Sequence, residues 1–253
     1  NGNKTSLITQ DGKVSRYSYD ALNRLTNLTG QSGSISYSWD RSGLNTGLSY
    51  SNGVASSIRF DAAKRIQSVL HAKGSTALSR TEYGYDSNSN RTRETINRVG
   101  GAQSTSYNYD GADRLTRTVL TDPNQSVTTT YELDAVGNRS KETVNTQAGN
   151  APATILSKTY RYDGRNQLAA ITDSSAGDTA LSYDNQGNLI RKTRGSDITH
   201  YTYNARDNLI NVSKNATLLG SYTNDHLGLR VEKEAKDPQQ PNAPPVKLRT
   251  LWD

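Results

Sequence analysis

The chain contains no cysteine and no methionine, and it has one phenylalanine and six prolines among 253 residues. Without cysteine it has no disulfide and no thiolate metal ligand, which excludes a small secreted scaffold held together by disulfides. The longest clean apolar run is about "LAAI" at 168–171, far shorter than the roughly 20 residues that a membrane-spanning helix needs. No signal peptide is visible, and a chain that starts at Asn1 is expected to be an internal or processed piece of a longer polypeptide.

Apolar residues are also scarce, at 32% of the chain, which on composition alone borders on disorder. Against disorder stand 15 tyrosines and two tryptophans that are regularly placed. Each aromatic side chain buries about 150–250 Å², so tyrosine can replace missing aliphatic volume. The net charge of +6 comes from 30 basic and 24 acidic residues that are mixed along the chain. This mixture favours a solvated surface, and we expect no nucleic-acid partner.

One phrase recurs along the whole chain: two residues, aromatic or apolar except for Asn224 in the last copy, flank a third and are followed by aspartate or asparagine. Ten copies occur, 20 to 29 residues apart, and they hold 14 of the 15 tyrosines. The copies start at Tyr17, Tyr37, Ile58, Tyr83, Tyr107, Tyr131, Tyr160, Leu181, Tyr201 and Tyr222. "TLWD" at 250–253 looks like an eleventh copy, cut off at its start. Any core must therefore be built from the repeat.

Each copy predicts one β-hairpin. Residues two apart lie on the same face of a strand, and tyrosine favours strands. The aspartate opens a turn because its carboxylate accepts a nearby backbone N–H. Three residues later, eight of ten copies have Gly, Asn or Asp, which tolerate positive φ and fit a three-residue hairpin loop. The predicted structural repeat residues are Tyr17, Tyr19, Asp20, Tyr83, Tyr85, Asp86, Tyr107, Tyr109, Asp110, Asp134, Gly137, Tyr160, Tyr162, Asp163, Tyr183, Asp184, Gly187, Tyr201 and Tyr203.

The connections between hairpins are polar and vary in length, as surface loops do. The proline-rich stretch at 236–246 is expected to be a surface loop rather than a domain linker, because the repeat resumes after it. We therefore predict a single array over residues 1–253. A lone hairpin is marginal in water, so the hairpins should form a continuous antiparallel sheet that curls, in an all-β protein without useful helices.

The phrases "YELDAVGNR" (131–139), "LSYDNQGNL" (181–189) and "YSYDALNRL" (17–25) resemble the RHS, or YD-repeat, family. This resemblance covers essentially the whole chain. It implies a spiral of β-hairpins that forms the wall of a hollow shell, and on length we expect part of a wall. The family includes bacterial polymorphic toxins, among them type VI secretion effectors and components of insecticidal toxin complexes, and it is related to the teneurins. Absence of cysteine argues against teneurin-like membership.

The resemblance implies a non-catalytic segment, secreted or delivered from a bacterium, that encloses or scaffolds a toxin domain encoded downstream. The partners implied are the remainder of the shell and that toxin domain. In toxins of the family, the toxic domain is released after cleavage at a D-P-x-G-like core motif. This chain lacks that motif, since Asp237 and Pro238 carry only its first two residues. Neither the protease nor the toxin function is therefore placed on any residue here.

Recognisable catalytic, cofactor and metal sites are absent from the sequence. The repeated aspartates favour turn capping over catalysis, because catalysis needs one special environment rather than nine equivalent ones. "DSNSNRTRE" (86–94) imitates the start of an EF-hand loop, but it has Arg91 where glycine is needed. The three histidines, His71, His200 and His226, lack ligand spacing. We expect no catalytic residue, no cofactor and no metal.

Arginines recur just after the turns, as Arg24, Arg65 and Arg114 and, one place later, as Arg91, Arg139 and Arg230. They are expected to cover tyrosine rings or to pair with the turn aspartates of neighbouring hairpins. An alternative places them in the shell lumen, against cargo. An alternative function for the chain is a cell-surface carbohydrate-binding or adhesion module that uses exposed tyrosine ladders. That function requires the first tyrosine of each pair to be exposed.

The turn interpretation predicts the behaviour of Asp113, which stands at the predicted positive-φ position of the fifth copy. If φ is positive there, Asp113→Val should destabilise the chain by roughly 1–2 kcal/mol, because a β-branched side chain opposes that conformation. Asp113→Gly should be tolerated or mildly stabilising. Urea unfolding of the two variants measures the difference.

Overall fold

The computed structural model describes residues 2–236 and 244–249. It is all-β, as predicted: the described residues form 22 strands and contain no helix. No described segment is therefore a helix long and apolar enough to span a membrane. The eleventh copy at 250–253 and most of the proline-rich stretch at 236–246 lie outside the described residues.

The strands fall into two compact units. Unit 1 comprises residues 1–130 and 145–154, and unit 2 comprises residues 131–144 and 155–253. The first eleven strands lie in unit 1. They are β1 (Ser6–Ile8), β2 (Val14–Tyr19), β3 (Leu25–Gly30), β4 (Gly33–Trp39), β5 (Asn45–Tyr50), β6 (Val54–Phe60), β7 (Ile66–Lys73), β8 (Thr76–Tyr85), β9 (Arg91–Arg98), β10 (Gly101–Tyr109) and β11 (Leu115–Thr121).

Three strands have residues in both units: β12 (Gln125–Leu133), β13 (Arg139–Ala148) and β14 (Thr154–Tyr162). Unit 2 holds the remaining strands. They are β15 (Leu168–Asp173), β16 (Thr179–Tyr183), β17 (Leu189–Arg194), β18 (Asp197–Tyr203), β19 (Leu209–Lys214), β20 (Thr217–Asn224), β21 (Arg230–Ala235) and β22 (Val246–Arg249).

Within each unit, the paired strands are antiparallel neighbours in the chain, as in β2 with β3 and β16 with β17. Contacts between strands likewise join strands that are consecutive in the chain. No described strand of either unit packs across the sheet as a second layer. The antiparallel hairpins predicted from the repeat are confirmed, while the single array over residues 1–253 stays a prediction.

The turns have the predicted geometry. In the first copy the Asn23 N–H donates to the Asp20 carbonyl at 3.0 Å, and the Asp20 N–H donates to the Arg24 carbonyl at 2.9 Å. Asn23 has φ of 60°. All ten residues at this position have positive φ, including Lys64 and Ser89, whose residue types did not predict it. The turn therefore imposes the conformation whichever residue occupies the position.

A bulge accompanies the turn in nine copies, and the sequence analysis missed it. Tyr19 pairs with Leu25, but Ser18 pairs with Asn27, so Thr26 has no opposite residue. The same shift occurs at the second aromatic position of nine copies. A signal was present: Leu25 and Leu28 lie on one face although they are three residues apart, and a regular strand would place such residues two apart.

The two faces of the sheet differ in composition. One face, the aromatic face, holds both aromatic positions of each copy together with residues paired to them, such as Leu25 and Leu28. The opposite face of β2 to β5 holds small polar residues such as Ser18, Ser36 and Ser49. No apolar side chain of the described residues is buried, and the tyrosines of the repeat are half-buried. The aromatic rings therefore pack against neighbouring hairpins without forming an enclosed core.

Candidate functional site

The aspartate of each copy caps its own turn. The Asp20 Oδ1 atom accepts the N–H groups of Leu22 at 2.9 Å and Arg24 at 3.0 Å. The same pair of bonds is present in all ten copies, including the one in which Asn204 replaces aspartate. The predicted capping role of the aspartates is thus confirmed by geometry.

These hydrogen bonds change the acidity of the caps. The N–H of Arg24 is the main cause of the lowered pKa of Asp20, and the N–H groups of Arg65 and Arg114 act likewise on the pKa of Asp61 and Asp110. At Asp184, desolvation is the largest single influence and raises the pKa, but bonds from Asn188 and from backbone N–H groups outweigh it, and the pKa is lowered. The carboxylate form is therefore favoured at each of these turns.

The arginines that directly follow the turns pair with the aspartate of their own hairpin, which corrects the expectation that they pair with neighbouring hairpins. The Arg24 Nε atom donates to Asp20 Oδ2 at 2.7 Å, and the Arg65 Nε atom donates to Asp61 at the same distance. Their remaining donors do reach the next hairpin, where they meet backbone carbonyls. The Arg24 guanidinium donates to the Asp40 carbonyl at 2.9 Å, and that of Arg65 donates to the Asp86 carbonyl at 3.0 Å.

Where asparagine replaces this arginine, its single amide group bonds both the aspartate of its own turn and a residue of the next turn. The Asn188 Nδ2 atom donates to Asp184 in its own turn at 3.0 Å and to Asp207 in the next turn at 2.8 Å. Asp207 is the positive-φ residue of that next turn. Asn90 bonds Asp86 and Asp113 in the same way. We call these contacts between successive turns, made by arginine or asparagine, the turn ladder.

The second aromatic adds another bond between hairpins in seven copies. The Tyr109 hydroxyl donates to the Arg91 carbonyl at 2.9 Å, and the Trp39 indole N–H donates to the Leu25 carbonyl at 2.8 Å. Equivalent bonds are made by Tyr19, Tyr85, Tyr162, Tyr183 and Tyr203. The accepting carbonyl lies outside the backbone ladder: β3 and β4, for example, begin to pair only at Asn27 and Ser36. The ring and its polar end therefore close the gap between hairpins.

The first aromatic contacts arginine in five copies. The Arg91 guanidinium lies 5.8 Å from the Tyr83 ring centre and 4.8 Å from that of Tyr107 in the next hairpin. Arg139 is placed in the same way, 4.6 Å from Tyr131 and 5.8 Å from Tyr160. The expectation that arginines cover tyrosine rings is confirmed at these positions. Such contacts contribute about 0.5–1 kcal/mol each at exposed sites.

The residues that invited a metal or catalytic interpretation are used in other ways. The amides of Asn88 and Asn90, in the EF-hand-like stretch, donate to Asp113, so their N–H groups face a carboxylate. His71 shares a 2.7 Å hydrogen bond with Ser56, which is only 7% exposed and faces it across two paired strands. Among residues 2–236 and 244–249, no group of three metal-ligating side chains comes together.

The comparisons agree with this architecture. Residues 1–35 and 162–197 match the family model described as RHS Repeat. Among solved structures, the Tc holotoxin pore of Photorhabdus luminescens matches over 92% of this chain, with a TM-score of 0.53 and 14% identity. Two segments of the chain are thus similar to RHS repeats, and the chain shares its fold with part of the toxin structure.

A second solved structure, of TcdB2-TccC3-Cdc42, matches over 96% of this chain with a TM-score of 0.50 and 12% identity. The chain spans 14% and 17% of the lengths of these two matched chains. At such identities the likeness concerns the fold. No curated protein matches the chain.

The turn ladder changes the expectation for Asp113. Its φ is 58°, which confirms the predicted conformation. Its carboxylate also accepts bonds from Asn88 at 2.8 Å and from Asn90 at 2.6 Å, which glycine would remove. Asp113→Gly is therefore expected to destabilise, though by less than Asp113→Val, and Asp113→Asn, which keeps an acceptor, should be nearly neutral.

The hydroxyl that joins hairpins supplies a second prediction. Tyr109→Phe removes the bond to the Arg91 carbonyl and should lower the free energy of unfolding by about 1 kcal/mol. Phe60 is the matched control, because it occupies the same position without a hydroxyl. Phe60→Tyr should stabilise by a similar amount, since β5 and β6 pair only from Gly47 onward and leave the Asn45 carbonyl outside the ladder. Equal effects of both substitutions in urea unfolding would contradict this role.

The lowered pKa values predict loss of stability in acid. At Asp20, Asp61, Asp110 and Asp184 the folded pKa lies below the unfolded value of about 3.9. The contribution of each of these caps is therefore present above that pH and is lost as the pH falls through the folded pKa. Asp173, whose pKa Ser175 lowers to about 2, extends this window to about pH 2. Asp184→Asn should make unfolding free energy less dependent on pH between about 4 and 2, and Asn204→Asp should make it more dependent. Parallel pH profiles for both variants and the unmodified chain would refute the assignment.

Proposed function

We propose that the chain is a non-catalytic segment of the wall of an RHS-repeat shell, and that this shell encloses a toxin or effector domain encoded downstream. The single observation that carries the proposal is the absence of a core together with contacts between consecutive hairpins. No described apolar side chain is buried, and no second layer covers the sheet of either unit. The contacts of the repeat therefore extend a sheet instead of filling a core, and an extended sheet is what a shell wall requires.

The regular bonding between turns supports this use. Similar donors and acceptors join successive hairpins in many copies, through the turn ladder and through the second aromatic. A sheet built in this way grows by addition of hairpins without needing a closed core. The fold shared with part of the Photorhabdus luminescens Tc holotoxin is consistent with such a segment. We infer that the partners are further hairpins of the shell and the enclosed domain.

The setting follows from the same proposal. A shell around a toxin serves a protein that leaves a bacterium, so we place the chain in a secreted or delivered polymorphic toxin. Delivery by type VI secretion or within a toxin complex are the two routes that the family resemblance offers. The arginines are engaged with aspartates, carbonyls and tyrosine rings, which favours a structural function over contact with cargo.

The alternative function, sugar binding by exposed tyrosine ladders, has less support. The hydroxyls of the second tyrosines are donated to backbone carbonyls, as at Tyr85 and Tyr183. Rings at the first position, such as Tyr107 and Tyr131, are half-buried, and an arginine lies against each of these two. These contacts occupy much of the surface that a sugar would need.

Limited proteolysis of the full gene product tests enclosure. Trypsin should leave the domain encoded after the repeats intact in the native protein and should digest it after the shell is unfolded in urea. The matched control is the same domain expressed alone, which should be cleaved at once. Equal cleavage of the domain in both native settings, or electron micrographs of a solid particle without a lumen, would overturn the proposal.

A further inference from the structure

Tyr50 is the one tyrosine of the 15 that lies outside the two aromatic positions of the repeat. It is the last residue of β5 and pairs with Ile35 on the aromatic face of unit 1. Tyr50 as a whole residue is 37% exposed, and no hydrogen bond to its hydroxyl is made by any residue in the described part of the chain. The interactions that hold the hairpins together therefore leave this ring unused.

The Tyr50 ring borders a cavity of about 410 Å³ in unit 1. Three hairpin connections meet there, contributing Lys13 before β2, Gln31 and Ser32 between β3 and β4, and Asn52 between β5 and β6. Sites for small molecules typically measure about 300–1,000 Å³. The cavity has this size and opens to solvent at the margin of the sheet where the connections, rather than the turn ladder, lie.

The walls of this cavity are fixed by hydrogen bonds. The Ser51 Oγ atom accepts the Ser34 N–H at 3.0 Å, and the Ser51 N–H donates to the Ser34 carbonyl at 2.9 Å. Gly33, with φ of 130°, is required beside this clamp, because a Cβ atom there would collide with the Ser51 hydroxyl. The Gly53 N–H donates to the Tyr50 carbonyl at 3.0 Å, which sets the turn that carries Asn52.

The polar groups that line the cavity are mostly neutral. The Asn52 Oδ1 atom accepts the Val54 N–H at 3.0 Å, which leaves its Nδ2 group to face solvent. The side chains of Gln31 and Ser32 are exposed and make no hydrogen bond with any described residue. The one cation, Lys13, is paired with Asp11, so the cavity presents no unbalanced charge that would select an anion.

We propose that this cavity, called here the Tyr50 site, binds the ring of a neutral sugar. The π face of tyrosine is electron-rich and attracts the slightly positive C–H groups on the flat side of a pyranose. The amides of Gln31 and Asn52 and the hydroxyl of Ser32 supply donors and acceptors for sugar hydroxyls. This site is independent of the shell proposal, since it uses a tyrosine that the repeat does not use.

Saturation-transfer NMR on the full chain tests the proposal, with glucose, galactose, mannose and N-acetylglucosamine as separate probes at millimolar concentration. At least one of them should receive saturation from the protein. Tyr50→Ala should weaken its binding at least tenfold, while Tyr50→Phe, which keeps the π face, should change it less than threefold. Gln31→Ala should weaken binding severalfold.

Leu78→Ala is the matched control, because Leu78 is a 40% exposed apolar residue of unit 1 that does not line the cavity, and binding should be unchanged. Thermal unfolding of each variant identifies any that fails to fold, and Tyr50→Phe then decides by itself whether the hydroxyl matters. The proposal is overturned if none of the four sugars binds. It is also overturned if Tyr50→Ala, folded as judged by its unfolding curve, binds as tightly as the unmodified chain.

Discussion

The carboxylate that caps each turn is the interaction on which the rest of the repeat depends. By accepting two backbone N–H groups, as Asp20 does from Leu22 and Arg24, it fixes a three-residue loop with a left-handed residue at its end. That loop sets the register of the hairpin and the bulge beside it. The bulge in turn places the second aromatic where its polar end reaches the preceding hairpin.

The stability of such a molecule comes from many small contacts between hairpins rather than from one hydrophobic core. A globular domain gains most from burying apolar side chains, but no described apolar residue is buried here. Ring packing, cation–π contacts and hydrogen bonds between consecutive hairpins replace the core, each at about 0.5–1.5 kcal/mol. Because every contact is with a neighbour, each unit behaves as a chain of coupled hairpins. Removal of one bond is therefore expected to weaken one boundary and to leave the others intact.

The side chains that hold the hairpins together are different from those that line the cavity at Tyr50. Side chains at the turns are committed to capping and to the turn ladder, and repeat tyrosines are committed to carbonyls or arginines. Residues that take no part in these contacts lie at the opposite margin of the sheet, where the connections between hairpins are. Tyr50, Gln31 and Asn52 meet there around one cavity. The division follows from the repeat itself, because only the connections vary in length and composition.

The spacing of aromatic and acidic residues determined the all-β class, the hairpin boundaries and the positive φ at Asp113, since these depend on contacts within about ten residues. The same local signal correctly assigned turn capping to the aspartates. It did not determine that the Arg24 guanidinium reaches the Asp40 carbonyl, or that Asn188 reaches Asp207, because both depend on how the next hairpin is placed. Nor did it indicate the cavity at Tyr50, which three connections distant in sequence create together. Only the tertiary structure decided these, since pairing of strands brings residues from separate hairpins within hydrogen-bonding distance.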